Sequence, residues 1–136
     1  MPFAIKTEVG DTACATFDFP QQKTMYGGKR IAEGDTVFIF ASENEGGPGL
    51  IARGVVTSAR PIAARPGVAR QTPCVSLTVA RNARARRRLG RGELESFTVW
   101  ADGRPETELN FKFYRQATNK IVGLSSETAA FLETFF

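Results

Sequence analysis

The sequence predicts an α+β fold, a small mixed β-barrel with short flanking helices and a C-terminal capping helix. Three observations carry that expectation. Several short runs are rich in β-branched and aromatic residues, glycine-rich connections separate them, and the closing segment has the signature of a capped amphipathic helix. A chain of 136 residues, 42% of them hydrophobic, supplies one modest core, so a single domain over residues 1–136 is expected.

The elements follow in chain order. One N-terminal strand is expected before Thr36–Ala41 (TVFIFA), which is entered through the turn-like Glu33-Gly34-Asp35. Residues 44–49 (NEGGPG) form a flexible connection, and residues 50–61 (LIARGVVTSARP) resume as a long strand, so the two strands make a hairpin. Gly54 marks a bulge or a point of close approach in the second of them. The connection lacks the lysine and the spacing of a phosphate-gripping loop. Residues 62–73 read as an irregular basic connection. Residues 74–79 read as a strand, because Val75, Leu77 and Val79 alternate with Ser76 and Thr78.

Residues 80–89 have fair helical propensity through Ala and Leu, with Gly90 and Gly92 to stop them, and so predict a short exposed helix. Residues 95–100 and 107–114 predict two strands around the Asp102-Gly103 turn, with Leu109, Phe111 and Phe113 alternating with Asn110, Lys112 and Tyr114. Trp100, at a strand end beside that turn, reads as a packing residue. A last strand, Lys120–Gly123, leads through Leu124 to the N-cap Ser125 and a helix with Glu127 in its first turn. Phe131, Leu132 and Phe135 form the buried stripe of that helix. The order is strand, hairpin, strand, basic helix, hairpin, strand, capped helix, a barrel of five to seven strands with no internal repeat or domain boundary.

Composition narrows the function. The chain has no histidine, which removes the side chain most used as base, proton shuttle or zinc ligand near neutral pH. Carboxylate or Lys/Arg chemistry would remain to an enzyme, and the acids show no pattern that singles out a catalytic pair. Cys14 and Cys74 have no CxxC neighbour and read as two buried thiols without a disulfide; no ligand spacing supports a metal, and no cofactor is expected. Nothing at the N-terminus resembles a signal peptide and no apolar run approaches a membrane span, so the expectation is a soluble protein of the cytoplasm.

Charge is the strongest signal. The net charge is only +4, yet residues 46–92 contain ten arginines and no acid or lysine, while the remainder carries 8 basic against 14 acidic residues. Six of those arginines fall within residues 81–91. On a helix, Arg84, Arg87, Arg88 and Arg91 would share one side, a cationic stripe fit for phosphates, with Arg53, Arg60, Arg65 and Arg70 as further candidates. The plain alternatives are a solvated helix face and a GC-rich genome's bias toward arginine.

Residues 115–127 (RQATNKIVGLSSE) resemble the closing motif of EVE domains, a branch of the PUA-like superfamily, in which an Arg-Gln-Ser-Arg-Leu-Ser-Val strand runs into a Thr/Ser-Pro-Glu-Glu helix cap. Residues 34–42 (GDTVFIFAS) and 49–56 (GLIARGVV) are similar to the family's Gly-Asp-x-Val-Phe-Phe-Tyr-His-Ser and Gly-Ile-x-Gly-x-Ala-x-Val hairpin. Lys6-Thr7-Glu8 is similar to its Lys-Ser/Thr-Glu-Pro. The chain departs from the pattern where Ala41 replaces a histidine, and where the short KTMYGGKR of residues 23–30 replaces a Trp-x-Gly-Val-Arg-Asn-Tyr-Gln-Ala-Arg-Asn block. The resemblance implies a divergent PUA-like barrel that binds nucleic acid, RNA or modified DNA, holding one flipped or modified base in a pocket beside the barrel. Carried over residue by residue, that pocket involves Thr7, Phe40, Ser42, Arg115 and Gln116, with Tyr26 in place of the lost tryptophan block. Phe40 also fits a core position, Thr7 and Ser42 fit strand-end hydroxyls, and Tyr26 fits a loop aromatic. Two other classes stay open: an enzyme of unrecognised type acting on RNA, and a protein-interaction domain that presents residues 81–91 to an acidic partner.

Overall fold

Alternating apolar residues on short strands close a barrel whose second face is covered by helices. The structure, a computed structural model, describes residues 1–63, 65–68, 71–116 and 118–136, and every side chain among them except that of Glu45. Its strands are β1 (Phe3–Thr7), β2 (Thr16–Met25), β3 (Thr36–Ala41), β4 (Gly49–Pro61), β5 (Cys74–Arg84) and β6 (Lys120–Gly123). They close in the order β1-β3-β4-β5-β2-β6. The sheet is mixed: β1 runs parallel to β3 and β2 parallel to β6, and the other pairs are antiparallel.

The pleat sorts side chains into two layers. Phe3 and Ile5 of β1, Phe17 and Phe19 of β2, Val37 and Ile39 of β3, and Leu77 and Val79 of β5 fill the barrel. Ala4, Phe38, Phe40 and Val122 point outward into a second apolar layer, which includes Leu94, Leu109, Phe113, Leu132 and Phe135. β3 is therefore buried on both faces, which is why its sequence is a continuous apolar run rather than an alternating one. The hairpin of β3 and β4 forms as expected, with Val37 opposite Gly54. Gly54 sits at a register shift between β4 and β5, where a Cβ would stand 2.5 Å from Val79 Cγ1 and 2.6 Å from Ala80 O.

The helices that cover the second face are short: α1 (Arg91–Leu94), α2 (Pro105–Leu109) and α3 (Ser126–Glu133). Ser125 caps α3, its hydroxyl accepting from Thr128 N at 3.2 Å. Leu132 and Phe135 are buried as expected, whereas Phe131 is half-buried and meets Phe135 edge to face at 5.2 Å. No helix among the described residues is long and apolar enough to cross a membrane.

Four expectations are corrected. Residues 80–84 continue β5 instead of opening a helix: Ala80 and Arg81 pair with Val55 and Gly54, and Arg84 with Ala52. The ladder of β4 outweighs the modest helix propensity of Ala and Arg. Residues 95–100 form no strand, and residues 107–114 are helical, α2 running into a π-helical turn at Asn110–Tyr114. Leu109 and Phe113 satisfy both periods, but they are fully buried while Phe111 is not, which fits a helix and not a strand. The N-terminal part holds two strands rather than one. Cys14 and Cys74 are free, as expected, but half-buried rather than buried.

Candidate nucleic-acid interface

Three aromatic rings converge on one open concavity. Tyr26, Trp100 and Phe111, with Arg115 and Gln116, wall a space of about 410 Å³. Tyr26 directly follows β2 with φ 53°, a left-handed conformation followed at once by Gly27 at φ 81°. That reversal docks against β6, where Tyr26 O accepts from Gly123 N at 3.1 Å. Gly28 then passes so close to the Ile121 carbonyl that no Cβ fits. Trp100 opens a 3₁₀ turn (Trp100–Asp102), and its ring meets Phe111 at 5.0 Å between centroids, tilted 59°. The carboxylate of Asp102 holds the turn by accepting from Arg104 N at 2.9 Å and Thr107 Oγ1 at 3.0 Å. Those bonds, led by the one to the Arg104 backbone, keep its pKa below the ordinary carboxylate value.

Phe111 and Arg115 lie four residues apart across the π-helical turn, so they share a side, and the Arg115 guanidinium sits 4.8 Å from the Phe111 centroid. A second cation, Lys112 Nζ, lies 5.1 Å from the Tyr26 centroid while donating to Gly123 O at 2.7 Å and Glu108 Oε2 at 3.2 Å. Two of the three rings are thus already faced by cations. Trp100 is 59% exposed, the most open of the three.

Behind this wall the backbone is held by buried amines. Lys6 Nζ donates to Phe113 O at 2.9 Å, and Lys120 Nζ to Gln116 O and Thr118 O, each at 3.1 Å. These carbonyls belong to the π-helical turn and the residues after it, where intrahelical partners run out. Lys6 and Lys120 stand opposite each other in the antiparallel β1–β6 register. Burial first, and the Lys6 charge second, push the Lys120 amine down to about 8. Burial and the Arg91 charge also lower Lys6, against the pull of Glu43. Beside Lys6, burial followed by the Glu43 charge pushes the Tyr114 phenol up.

Of the six pocket residues expected from sequence, Tyr26, Arg115 and Gln116 share the concavity and Thr7, Phe40 and Ser42 do not. Phe40 is fully buried on the outer face of β3, its ring 5.1 Å from that of Phe113, and has no face to offer a base. Thr7 and Ser42 are buried next to each other, Thr7 O accepting from Ser42 N at 2.8 Å. Trp100 and Phe111 line the site instead. Phe111 could have been found from its spacing to Arg115 had the segment been read as a helix.

The arginines divide. Arg84, Arg86, Arg87 and Arg88 line a shallow groove of about 330 Å³ whose floor includes Leu50 and Ile51, with no carboxylate among its lining residues. Arg91 lies outside it, donating to Asn44 Oδ1 at 3.2 Å and facing the Tyr114 ring at 5.6 Å. Several of these arginines have structural duties. Arg87 donates to Thr134 O at 2.8 Å and stacks 4.3 Å from the Phe135 centroid, and Arg86 donates to Phe136 O, so both tie down the C-terminal end of α3. Arg88 is 3.6 Å from both Glu43 and Glu93. Arg84 is exposed and makes no hydrogen bond or ion pair with its side chain among the described residues. Of the further candidates, Arg53 pairs with Glu133, Arg60 and Arg65 are exposed, and Arg70 lies outside the described residues.

No family model matches the chain, and no curated protein matches it in sequence. Solved structures do match in shape. The DUF55 domain of human thymocyte nuclear protein 1 is similar with a TM-score of 0.63 at 15% identity, covering 98% of this chain and 97% of that one. The human protein in complex with 5-methylcytosine-containing DNA is similar with a TM-score of 0.64 at 16% identity, over 97% of this chain and 95% of that one. A Pseudomonas putida protein is similar with a TM-score of 0.62 at 14% identity, over 99% of both chains. The closed mixed barrel with its covering helices therefore shares the fold of the DUF55 domain of human thymocyte nuclear protein 1.

Proposed function

We propose that this chain binds nucleic acid, taking one unstacked base into the concavity of Tyr26, Trp100 and Phe111 while arginines of the β4–β5 side engage phosphates. The observation that carries the reading is the convergence on one open space of three aromatic rings and the side chains of Arg115 and Gln116, which make no hydrogen bond or ion pair among the described residues. A flipped or single-stranded base needs flat apolar faces for stacking and a few polar groups for its edge. Human thymocyte nuclear protein 1, which shares the fold, has been solved with DNA containing 5-methylcytosine, and this supports nucleic acid as the partner class. The ligand is RNA or DNA with an accessible base, modified or not; the size of the concavity accommodates either a purine or a pyrimidine.

An aromatic cage can also hold a methylated ammonium. Here Arg115 and Lys112 already face two of the rings, so an incoming cation would meet like charge. The amines of Lys6 and Lys120 are directed at backbone carbonyls, where they act as caps rather than as nucleophiles.

Trp100 is the single tryptophan, so its fluorescence reports on the site directly. Titration with short single strands should quench it, and Trp100→Ala should weaken binding by about 1–3 kcal/mol, the usual worth of one base–aromatic stack. A trimethyl-lysine peptide should leave the signal unchanged. Unaltered fluorescence with every oligonucleotide, modified or not, would refute the proposal.

A further inference from the structure

Building on the base-binding reading, the polar equipment of the concavity points to which base it takes. We infer that it selects a base with paired acceptors on one edge, guanine through O6 and N7, over adenine and cytosine, and that Arg115 is the specificity-determining residue. Among the residues that line the space, none is a carboxylate. Arg115 is exposed and uses its guanidinium in no hydrogen bond or ion pair among the described residues, only in the contact with Phe111. All its N–H groups are therefore available, and the ring beneath the guanidinium limits how it can turn.

The remaining polar atoms do not reverse that balance. Trp100 offers an indole N–H, a donor only, and Tyr26 a hydroxyl. The Gln116 carbonyl accepts from Lys120 Nζ, and its side-chain amide offers one acceptor oxygen against two N–H donors. Donors thus outnumber acceptors around the space. Guanine presents O6 and N7 side by side with no donor on that edge, its N1–H and N2 amine lying on the others, whereas the corresponding edges of adenine, cytosine and 5-methylcytosine each include an exocyclic amine that requires an acceptor. Gln116 alone would favour adenine through N6 and N7, but a charge-assisted bond from arginine is roughly twice as strong as a neutral one.

The test is Trp100 quenching by single strands in which one guanine, adenine, cytosine, 5-methylcytosine or thymine is flanked by abasic spacers. The parent should bind the guanine strand roughly tenfold to a hundredfold more tightly than the adenine and cytosine strands, as a bidentate pair implies. Arg115→Lys, which keeps the charge and loses the fork, should bring the affinities close to parity, while Gln116→Ala should leave the guanine preference in place. Equal binding of all five strands, an adenine preference, or a guanine preference that survives Arg115→Lys would overturn the inference and leave the base-binding reading standing. Silence toward every strand by a folded protein would overturn both.

Discussion

Lys120 shows how one buried residue couples the fold to the site. Its amine caps Gln116 O and Thr118 O beneath the concavity, and burial has lowered its pKa to about 8 from the ordinary 10.5. Below about 8 the amine is charged in both the folded and unfolded chain, and the folded protein bears the full desolvation penalty. Between that value and 10.5 the unfolded chain binds more protons than the folded one, so stability should rise with pH across the window. The Tyr114 phenol works the other way above its ordinary value of 10.0, because the raised pKa keeps it protonated in the fold while the unfolded chain loses the proton. Denaturant unfolding at pH values from about 7 to 10 should show the rise, and Lys120→Met should lessen it. A flat profile in the parent would remove Lys120 from the account. Nothing in the sequence separates Lys120 from a surface lysine, since its burial follows from an antiparallel register with Lys6 that only the closed barrel creates.

At the level of elements, α3 and the segment after β5 support each other. Leu132 is fully buried in the outer layer, so Leu132→Ala should destabilise by about 2–5 kcal/mol. Phe131 is half-buried at the margin of that layer, its ring edge to face with Phe135, so Phe131→Ala should cost markedly less. Equal losses in urea unfolding would mean that Phe131 belongs to the core. The end of this helix is where the arginines act: Arg87 bonds the Thr134 carbonyl and covers Phe135, placing a cation where the helix dipole is negative. The stretch 81–91 is thus part strand and part cap, a use of arginine that composition alone cannot distinguish from a phosphate surface. The N-cap of α3 was legible because Ser125 and Glu127 make a local signal. The π-helical turn was not, since the lysine that caps its Phe113 carbonyl comes from β1 and the one that caps the carbonyls just after it comes from β6.

Across the whole molecule the two strands of the acid-free segment, β4 and β5, are neighbours in the sheet and bring Arg53, Arg60, Arg81 and Arg84 to one side of the barrel. The charge separation seen along the chain is kept in space only in part, because Glu133, Glu43 and Glu93 pair with Arg53 and Arg88 and the end of α3 engages Arg87. Arg84 is the clearest candidate for a phosphate contact. Arg84→Ala should flatten the log K against log salt slope by roughly one unit on duplex DNA, somewhat less on single strands, with unchanged thermal stability. Arg87→Ala should also lower stability, by about 1 kcal/mol, through loss of the α3 cap. An unaltered slope in Arg84→Ala would move the phosphate path away from the groove, with Arg60 and Arg65 the next to test.

The sequence by itself determined the strands with a local pattern, the β3–β4 hairpin, the close approach at Gly54, the capped last helix and the segregation of charge. Each of these depends on residues near one another in the chain. Tertiary structure alone decided the rest. It extended β5 through the first arginines by pairing them with β4, turned residues 107–114 into a helix by burying Leu109 and Phe113 on one face, and withdrew Phe40 into the layer between β3 and that helix. It also brought Trp100 and Phe111 to Tyr26, Arg115 and Gln116. These outcomes turn on which face of an element meets another element. That is settled by barrel closure, and no window of sequence contains it.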